Sequence, residues 1–193
     1  SYHSMCNMSS EPAQAKNFDL RPVSVNDTFE LSYKSNKLLI RVLQCDHRIP
    51  CNGYSVFLLV PKLRAEYSSL SGAEKGNLAK QGVKLHTIMQ EPLICFLGDT
   101  THNVFQTHPE ILEQHRFIVV ECTFINTDDK SIQKAKETKH MCWQSLHPII
   151  KDNPRVTFVL THFSLRHSEK DIYEALSACE NVHVMLATES QMG

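Results

Sequence analysis

The sequence predicts an α/β domain built on a mixed sheet. Strand-like runs come first along the chain, and strands and helices then alternate. The central run, 93–97, holds apolar residues that are too few for a typical helix, and we expect a strand buried on both faces. Gly98 and Asp99 follow it. Because α/β folds place ligands and catalytic groups at the carboxyl ends of such strands, this run organises our interpretation of the chain.

The first part of the predicted sheet is a hairpin followed by a third strand. Residues 28–33 and 37–45 are rich in strand formers, and the turn-prone residues between them predict a hairpin. A third apolar run, 55–60, predicts the next strand. The loop before it holds His47, in a position that suits a ligand better than a packing residue.

Helices and strands alternate through the rest of the chain. Ser71 predicts the N-cap of a helix that ends at Gly82. Apolar residues recur at three- and four-residue spacing over 141–151, which predicts an amphipathic helix with Trp143 in the core and His140 at its start. Two further helices are predicted with their caps, 128–139 after Thr127 or Asp128 and 168–179 at Ser168. The remaining predicted elements are the helix 109–114 and the strands 117–120, 156–161 and 182–186.

Length and composition limit the class of protein. The 193 residues suit one domain, which we place at 17–193 after a flexible or non-native start at 1–16. A net charge of -1 argues against binding nucleic acid through bulk charge, so any contact with RNA must be local. No apolar run is long enough to cross a membrane. The seven cysteines include no Cys-x-x-Cys pair and predict free thiols in a reducing compartment. We therefore expect an intracellular protein, cytoplasmic in the first instance, with nucleus and organelles left open.

Three candidate metal ligands stand at the ends of predicted strands. His47 follows the second strand, Asp99 the central one and His162 the strand 156–161. A metal ion needs donors that converge from different elements, and carboxylate oxygen with neutral imidazole nitrogen suits a hard-to-borderline metal ion. Glu121 is a further carboxylate at a strand end. The sequence therefore predicts a metal site at one edge of the sheet.

Several short motifs, in one order along the chain, are similar to those of a known family. The motifs are Asp46 to Tyr54, Lys62 to Glu74, Gly98 to Thr100, Val120 to Phe124, His140 before a helix, and Thr161 to Arg166. Together they resemble tRNase Z, the tRNA 3′-processing endoribonuclease of the metallo-β-lactamase superfamily, and more closely its short form. The resemblance covers about residues 18–189 and corresponds to the C-terminal part of the family.

The resemblance implies a fold and a function. The fold is the αββα sandwich of the superfamily, or its C-terminal half, with a mixed sheet and outer helices. The function is that of a zinc-dependent phosphodiesterase that cleaves 3′ trailers from pre-tRNA. Two alternatives stay open: a phosphodiesterase of the same superfamily acting on small esters, and a non-catalytic subunit or interaction module.

The resemblance also implies a role for each site residue. His47 matches a ligand to the first zinc ion, Asp99 the carboxylate that bridges both ions, and His162 a ligand to the second. His140 matches the catalytic histidine that protonates the leaving 3′ oxygen. Glu121 matches the glutamate that orients this histidine.

Three basic residues are candidate RNA contacts. Lys62 and Arg64 are expected to leave the third strand next to the His47 loop, and Arg166 follows His162. All three could then meet substrate phosphates near the metal ions. The alternative is that they are solvated surface charges.

One motif of the family is absent. No His-x-His-x-Asp-His occurs in this sequence, so we expect one zinc ion or none in this chain where a complete site holds two. The chain could be part of a longer protein, a natural fragment that needs a partner, or a degenerate non-enzyme. Half a sandwich leaves one sheet face uncovered, so we expect a homodimer or a missing N-terminal half to cover it.

Overall fold

A computed structural model describes residues 22–186 and shows one seven-stranded sheet. The strands follow each other in chain order across the sheet, antiparallel from the first to the fourth and parallel from the fourth to the seventh. The predicted start at residues 1–16 lies outside the described residues. The strands are β1 (Thr28–Tyr33), β2 (Asn36–Gln44), β3 (Asn52–Leu63), β4 (His86–Phe96), β5 (Phe117–Glu121), β6 (Thr157–Thr161) and β7 (Val182–Val184).

The antiparallel part begins with the predicted hairpin, which is confirmed. β1 pairs with β2, and the tight turn between them places Lys34 at φ 54°. β3 and β4 are both longer than predicted, because they pair over almost their whole lengths, out to Leu63 opposite His86. Polar residues at the start of β4 are thus held in the sheet by hydrogen bonds to β3 and not by an apolar pattern of their own.

The helices begin where their capping residues predict. Ser71 and Glu74 form a capping box before α1, and Gly82 follows that helix at φ 82°. Asp128 caps α4. The short helix α2 was not predicted, since the sequence around it is polar, although its Val104 is fully buried. The helices are α1 (Gly72–Lys80), α2 (Val104–Thr107), α3 (Glu110–Gln114), α4 (Asp129–Thr138), α5 (Trp143–Asp152) and α6 (Glu169–Leu176).

The two faces of the sheet differ in what covers them. The connections from β4 to β7 all step in one direction, so right-handed crossovers place their helices on one face. The core lies there, and we call it the helix-covered face; it includes Cys95, Ile118, Val120, Phe158 and Leu160. Side chains that alternate with these form what we call the open face, which comprises Tyr54, Val56, Phe96, Phe117 and Val159.

The open face corrects one prediction. Phe96 is 48% exposed, so the run 93–97 is not buried on both faces. The physical reason is that the main core of the described residues lies on the other face, where it includes Cys95 and Leu97. One sheet with one helical layer is half of an αββα sandwich, and this predicted fold class is confirmed.

Two expectations from composition agree with the structure. The cysteines within the described part of the chain are all free, and Cys95 and Cys122 are fully buried. Trp143 is 8% exposed and belongs to the core, as predicted. None of the helices in the described residues is long and apolar enough to cross a membrane.

Candidate metal centre

Four metal-ligating side chains meet at one edge of the sheet. Because β4, β5 and β6 are parallel, their carboxyl ends share this edge, and Asp99, Glu121 and His162 lie at those ends. His140 joins them from the junction between α4 and α5. One ligand atom from each of the four lies within 4.8 Å of those of the other three. The convergence predicted from strand ends is therefore present in the fold.

Gly98 allows the loop after β4 to lie against the start of β3. A Cβ atom at this position would stand 2.5 Å from Cys51 Sγ and 3.0 Å from the backbone oxygen of Asn52. The backbone there is not in the left-handed region, so glycine is required for close approach and not for its conformational freedom. This approach fixes the position of Asp99.

Glu121 is the buried centre of the group. Its side chain is 2% exposed and accepts hydrogen bonds from the Thr100 backbone N–H at 2.7 Å and from the Thr123 hydroxyl. A third donor is His140 Nδ1, 2.9 Å from Glu121 Oε1. Three donors compensate the loss of hydration of a buried carboxylate. They also fix the His140 ring, since Nδ1 carries the proton and Nε2 stays available.

His140 sits in a turn and not at the head of a helix as predicted. Lys139 ends α4 in the left-handed conformation at φ 53°, and α5 begins only at Trp143 with Cys142 as its N-cap. The His140 backbone N–H donates to Ala135 O at 3.0 Å, which ties the turn to α4. The side chain is 17% exposed, so one edge of the ring can reach a substrate.

His47 lies beside this group of four. Its Nδ1 is 2.8 Å from Lys139 O and donates to it, which leaves Nε2 free. Metal-ligating histidines are commonly held in this way by a second hydrogen bond. The His47 ring centroid is 4.7 Å from that of His140. His47 is thus at the site as predicted, but it lies outside the group of four and next to His140.

Asp46 is a positioning residue that the sequence analysis did not single out. Its carboxylate accepts from Lys139 Nζ at 2.8 Å, Thr101 Oγ1 at 2.5 Å and Asn103 Nδ2 at 2.9 Å. These bonds, led by that of Lys139, lower the Asp46 pKa to about 2. The carboxylate therefore joins the His47 loop, the loop after β4 and the turn that holds His140. Its place directly before His47 was the available signal.

His162 has an unusual backbone conformation. It is at φ 57°, which is uncommon for a residue with a Cβ atom and is found mainly where surrounding structure enforces it. Its Nδ1 lies 3.5 Å from Asp99 Oδ1, 3.8 Å from Glu121 Oε2 and 3.1 Å from Thr123 Oγ1. The ring thus faces two carboxylates at distances that suit a shared cation.

The donor set fits zinc. Carboxylate oxygen and neutral imidazole nitrogen are its ordinary protein ligands besides thiolate, and catalytic sites use three such ligands and keep one position open. Asp99 and His162 are about half exposed, 40% and 52% by side chain, so an ion there stays accessible to water and substrate. His47, Asp99 and His162 are therefore suitable ligands on the chemistry of this group.

Lys62 and Arg64 lie far from the site, and the prediction that they adjoin the His47 loop is wrong. β3 starts at this edge with Asn52, and Lys62 pairs with Thr87 near its other end. At about 3.3 Å per residue, ten residues place Lys62 roughly 30 Å from the edge. The error arose because a strand that begins after the His47 loop carries the chain away from that loop, so the residues that leave it lie at the opposite end of the sheet. Arg166, in contrast, lines a cleft next to the site.

Comparison with known proteins gives partial matches, among them several tRNase Z proteins. No protein-family profile matches the chain. The chain is 30% identical over 162 residues to tRNase Z TRZ2, chloroplastic, of Arabidopsis thaliana, a match that covers 83% of this chain and 44% of that protein. It is 32% identical over 143 residues to tRNase Z TRZ1 of the same plant, a match that covers 73% of this chain and 50% of that protein. The crystal structure of human tRNase Z, short form, superposes at 22% identity and a TM-score of 0.42, over 84% of this chain and 43% of that one. The chain spans about half the length of the curated relatives it matches.

Proposed function

We propose that this chain, a partial match to the tRNase Z proteins, supplies one part of a zinc-dependent phosphodiesterase that removes 3′ trailers from pre-tRNA. The observation that supports this most directly is the convergence of Asp99, Glu121, His140 and His162 within 4.8 Å at one edge of the sheet. The sequence match to tRNase Z supplies the class of substrate. No specific feature favours the small-ester or the non-catalytic alternative.

The residues of this chain divide into ligands and a proton donor. We assign His47, Asp99 and His162 to the metal. When bound, zinc supplies a Lewis acid that activates water and stabilises charge on the phosphoryl oxygens. His140, held through Nδ1 by Glu121, would act as the imidazolium, whose second proton is on Nε2 and passes to the 3′ oxygen as the phosphorus–oxygen bond breaks. The tRNA then ends in a 3′ hydroxyl and the trailer in a 5′ phosphate.

The remaining metal ligands are carried by the element that covers the open face. Glu121 shares one side of β5 with Phe117 of the open face, because side chains alternate along a strand. An element packed on that face therefore reaches the sheet edge at the metal centre. We propose that it carries the absent His-x-His-x-Asp-His motif, either from an N-terminal half or from a second copy of the chain.

The location of the reaction follows from the thiols and the relatives. Free cysteines in the described residues support a reducing compartment, and we propose the cytoplasm. One matched relative is chloroplastic, so an organelle is the competing location.

The test is trailer removal with identified product ends. The purified protein, loaded with zinc, is incubated with a pre-tRNA that carries a 3′ trailer. We expect a trailer with a 5′ phosphate, and loss of the reaction in His162→Ala. Zinc binding without trailer removal, in a protein shown to contain His-x-His-x-Asp-His, would overturn the proposal. Products with a 2′,3′-cyclic phosphate would contradict the assigned direction of cleavage.

A further inference from the structure

A basic cleft adjoins the candidate metal centre. It has a volume of about 440 Å³ and lies between the first turns of α4 and the loop that follows β6. Lys130 and Lys134 line it from the helix, and Arg166 and His167 line it from the loop. Two separate elements therefore present cations to one concave surface.

The charge of this cleft is not balanced within the described residues. Asp128 is the acidic residue of the lining, and its carboxylate already accepts from Ser131 N at 3.0 Å and Ser131 Oγ at 2.7 Å. Among residues 22–186, Lys130, Lys134 and Arg166 form no ion pair. Lysines four residues apart on a helix repel each other slightly. The cleft thus concentrates positive charge on a chain whose net charge is -1.

His167, which lines the same cleft, has an unsatisfied polar atom. Its Nε2 is buried and has no hydrogen-bond partner in the described residues, while its backbone N–H donates to Ser164 O at 3.0 Å. A buried nitrogen without a partner is unfavourable unless a ligand or water satisfies it. An acceptor group in the cleft would supply that partner.

Hydrogen bonds connect the wall of the cleft to the metal centre. Ser164, in the cleft wall, donates its backbone N–H to Thr123 O at 3.0 Å. Thr123 Oγ1 is in turn 3.1 Å from His162 Nδ1. A nucleic-acid strand with one phosphate at the metal centre can therefore place a neighbouring phosphate in the cleft.

We propose that this cleft binds a backbone phosphate of the RNA substrate, adjacent to the phosphate that is cleaved. The inference rests on the proposed function and supplies that function with a phosphate-binding surface in place of Lys62 and Arg64, which lie elsewhere. The ligand is single-stranded RNA, bound without regard to base, because cationic side chains with an imidazole match phosphate oxygens and read no base edge.

The experiment measures RNA binding without turnover. A labelled single-stranded oligoribonucleotide is titrated with the protein in EDTA, by fluorescence anisotropy, between 50 and 200 mM salt. For K130Q/K134Q we expect the slope of log K against log salt to fall by about 0.7 for each phosphate that the variant no longer neutralises, with about fivefold weaker binding at 0.1 M salt. Arg166→Gln, on the opposite wall, gives a smaller change in the same direction.

The matched control removes the same charge from another helix. K75Q/K80Q alters two lysines of α1 and should leave the slope and the affinity unchanged. Two results would overturn the proposed phosphate site. One is an equal loss of RNA affinity in both double variants. The other is no loss of affinity in K130Q/K134Q and Arg166→Gln while their thermal melts are unchanged. Binding of inorganic phosphate there without any effect on the oligoribonucleotide would also overturn it.

The result is independent of the metal chemistry. His162→Ala should lose zinc and keep its RNA affinity in EDTA, since it leaves Lys130, Lys134 and Arg166 in place. A failure of the cleft variants would thus leave the metal assignment intact. Retention of zinc by His162→Ala would contradict the proposed function and leave the cleft result standing.

Discussion

The two faces of the sheet carry the same kinds of residue and differ in their environment. Phe158 on β6 is fully buried under the helices, whereas Phe117, on the neighbouring strand β5 and the opposite face, is 50% exposed. Both phenylalanines stand in runs of strand formers, so the amino-acid pattern alone did not distinguish them. An apolar strand therefore identifies a sheet but not how many layers cover it.

The candidate site lies where this difference matters. The core on the helix-covered face fixes the strands whose ends carry Asp99, Glu121 and His162. In the proposed function, further ligands come from the side of the open face. The two faces would then contribute differently to the site, one through the packed core and the other through an added element.

The largest expected effect compares the two phenylalanines directly. Phe158→Ala should lower the free energy of unfolding by about 3–5 kcal/mol, because it leaves a cavity in a packed core. Phe117→Ala removes a half-exposed ring and should lower it by less than about 1 kcal/mol. Urea denaturation of both variants measures the difference. Equal losses would mean that an unseen element buries the open face in solution.

The next effect concerns the buried carboxylate. Glu121→Gln replaces an acceptor of three hydrogen bonds with an amide that has one oxygen, so one donor at least loses its partner. The free energy of unfolding should fall by about 1–3 kcal/mol. Glu91→Gln, at an exposed position of β4, is the matched control and should change it by less than about 0.5 kcal/mol. A Glu121→Gln variant as stable as wild type would argue against the hydrogen-bond arrangement given for this site.

A smaller effect uses pH to compare two histidines. His115 is 1% exposed on the helix-covered face and bonded to Ser55 Oγ at 2.6 Å, and burial lowers its pKa from 6.5. Below pH 6.5 the unfolded chain therefore binds the proton more readily than the folded one, and stability falls as the pH falls through this range. His183, exposed on β7, has no such burial.

The measurement is the urea midpoint at pH 7.5 and at pH 5.5. His115→Gln should reduce the loss of stability between the two values, and His183→Gln should leave it as in wild type. A His115→Gln variant with an unchanged pH dependence would show that this histidine does not titrate with folding.

Sequence reasoning succeeded where a local rule determines structure. The caps at Ser71, Asp128 and Ser168 fix helix starts, since their side chains satisfy the first free N–H groups. It failed where a segment distant in sequence determines the local structure. Residues 86–92 show no apolar strand pattern and become strand because β3 lies beside them. Lys62 lies at the far end of the sheet because β3 begins at the site edge and runs away from it.

The candidate site divides in the same way. Strand-end positions and family motifs predicted His47, Asp99, Glu121, His140 and His162. They did not predict Asp46, whose three hydrogen bonds hold two loops and a turn that are distant in sequence. Arg166 was predicted as a phosphate contact. Its neighbours Lys130 and Lys134 come from α4, distant in sequence, and only the fold brings them together.

The central claim, that His140 donates a proton while His162 holds metal, is tested by comparing the two alanine variants. Zinc content and trailer removal are measured for each, in the active protein that contains this chain. His162→Ala should lose zinc and activity together. His140→Ala should keep its zinc and slow turnover by about 100-fold or more, the usual effect of removing a positioned general acid. Loss of zinc from His140→Ala, whose ring lies within the same group of ligand atoms, or undiminished turnover, would contradict the assignment.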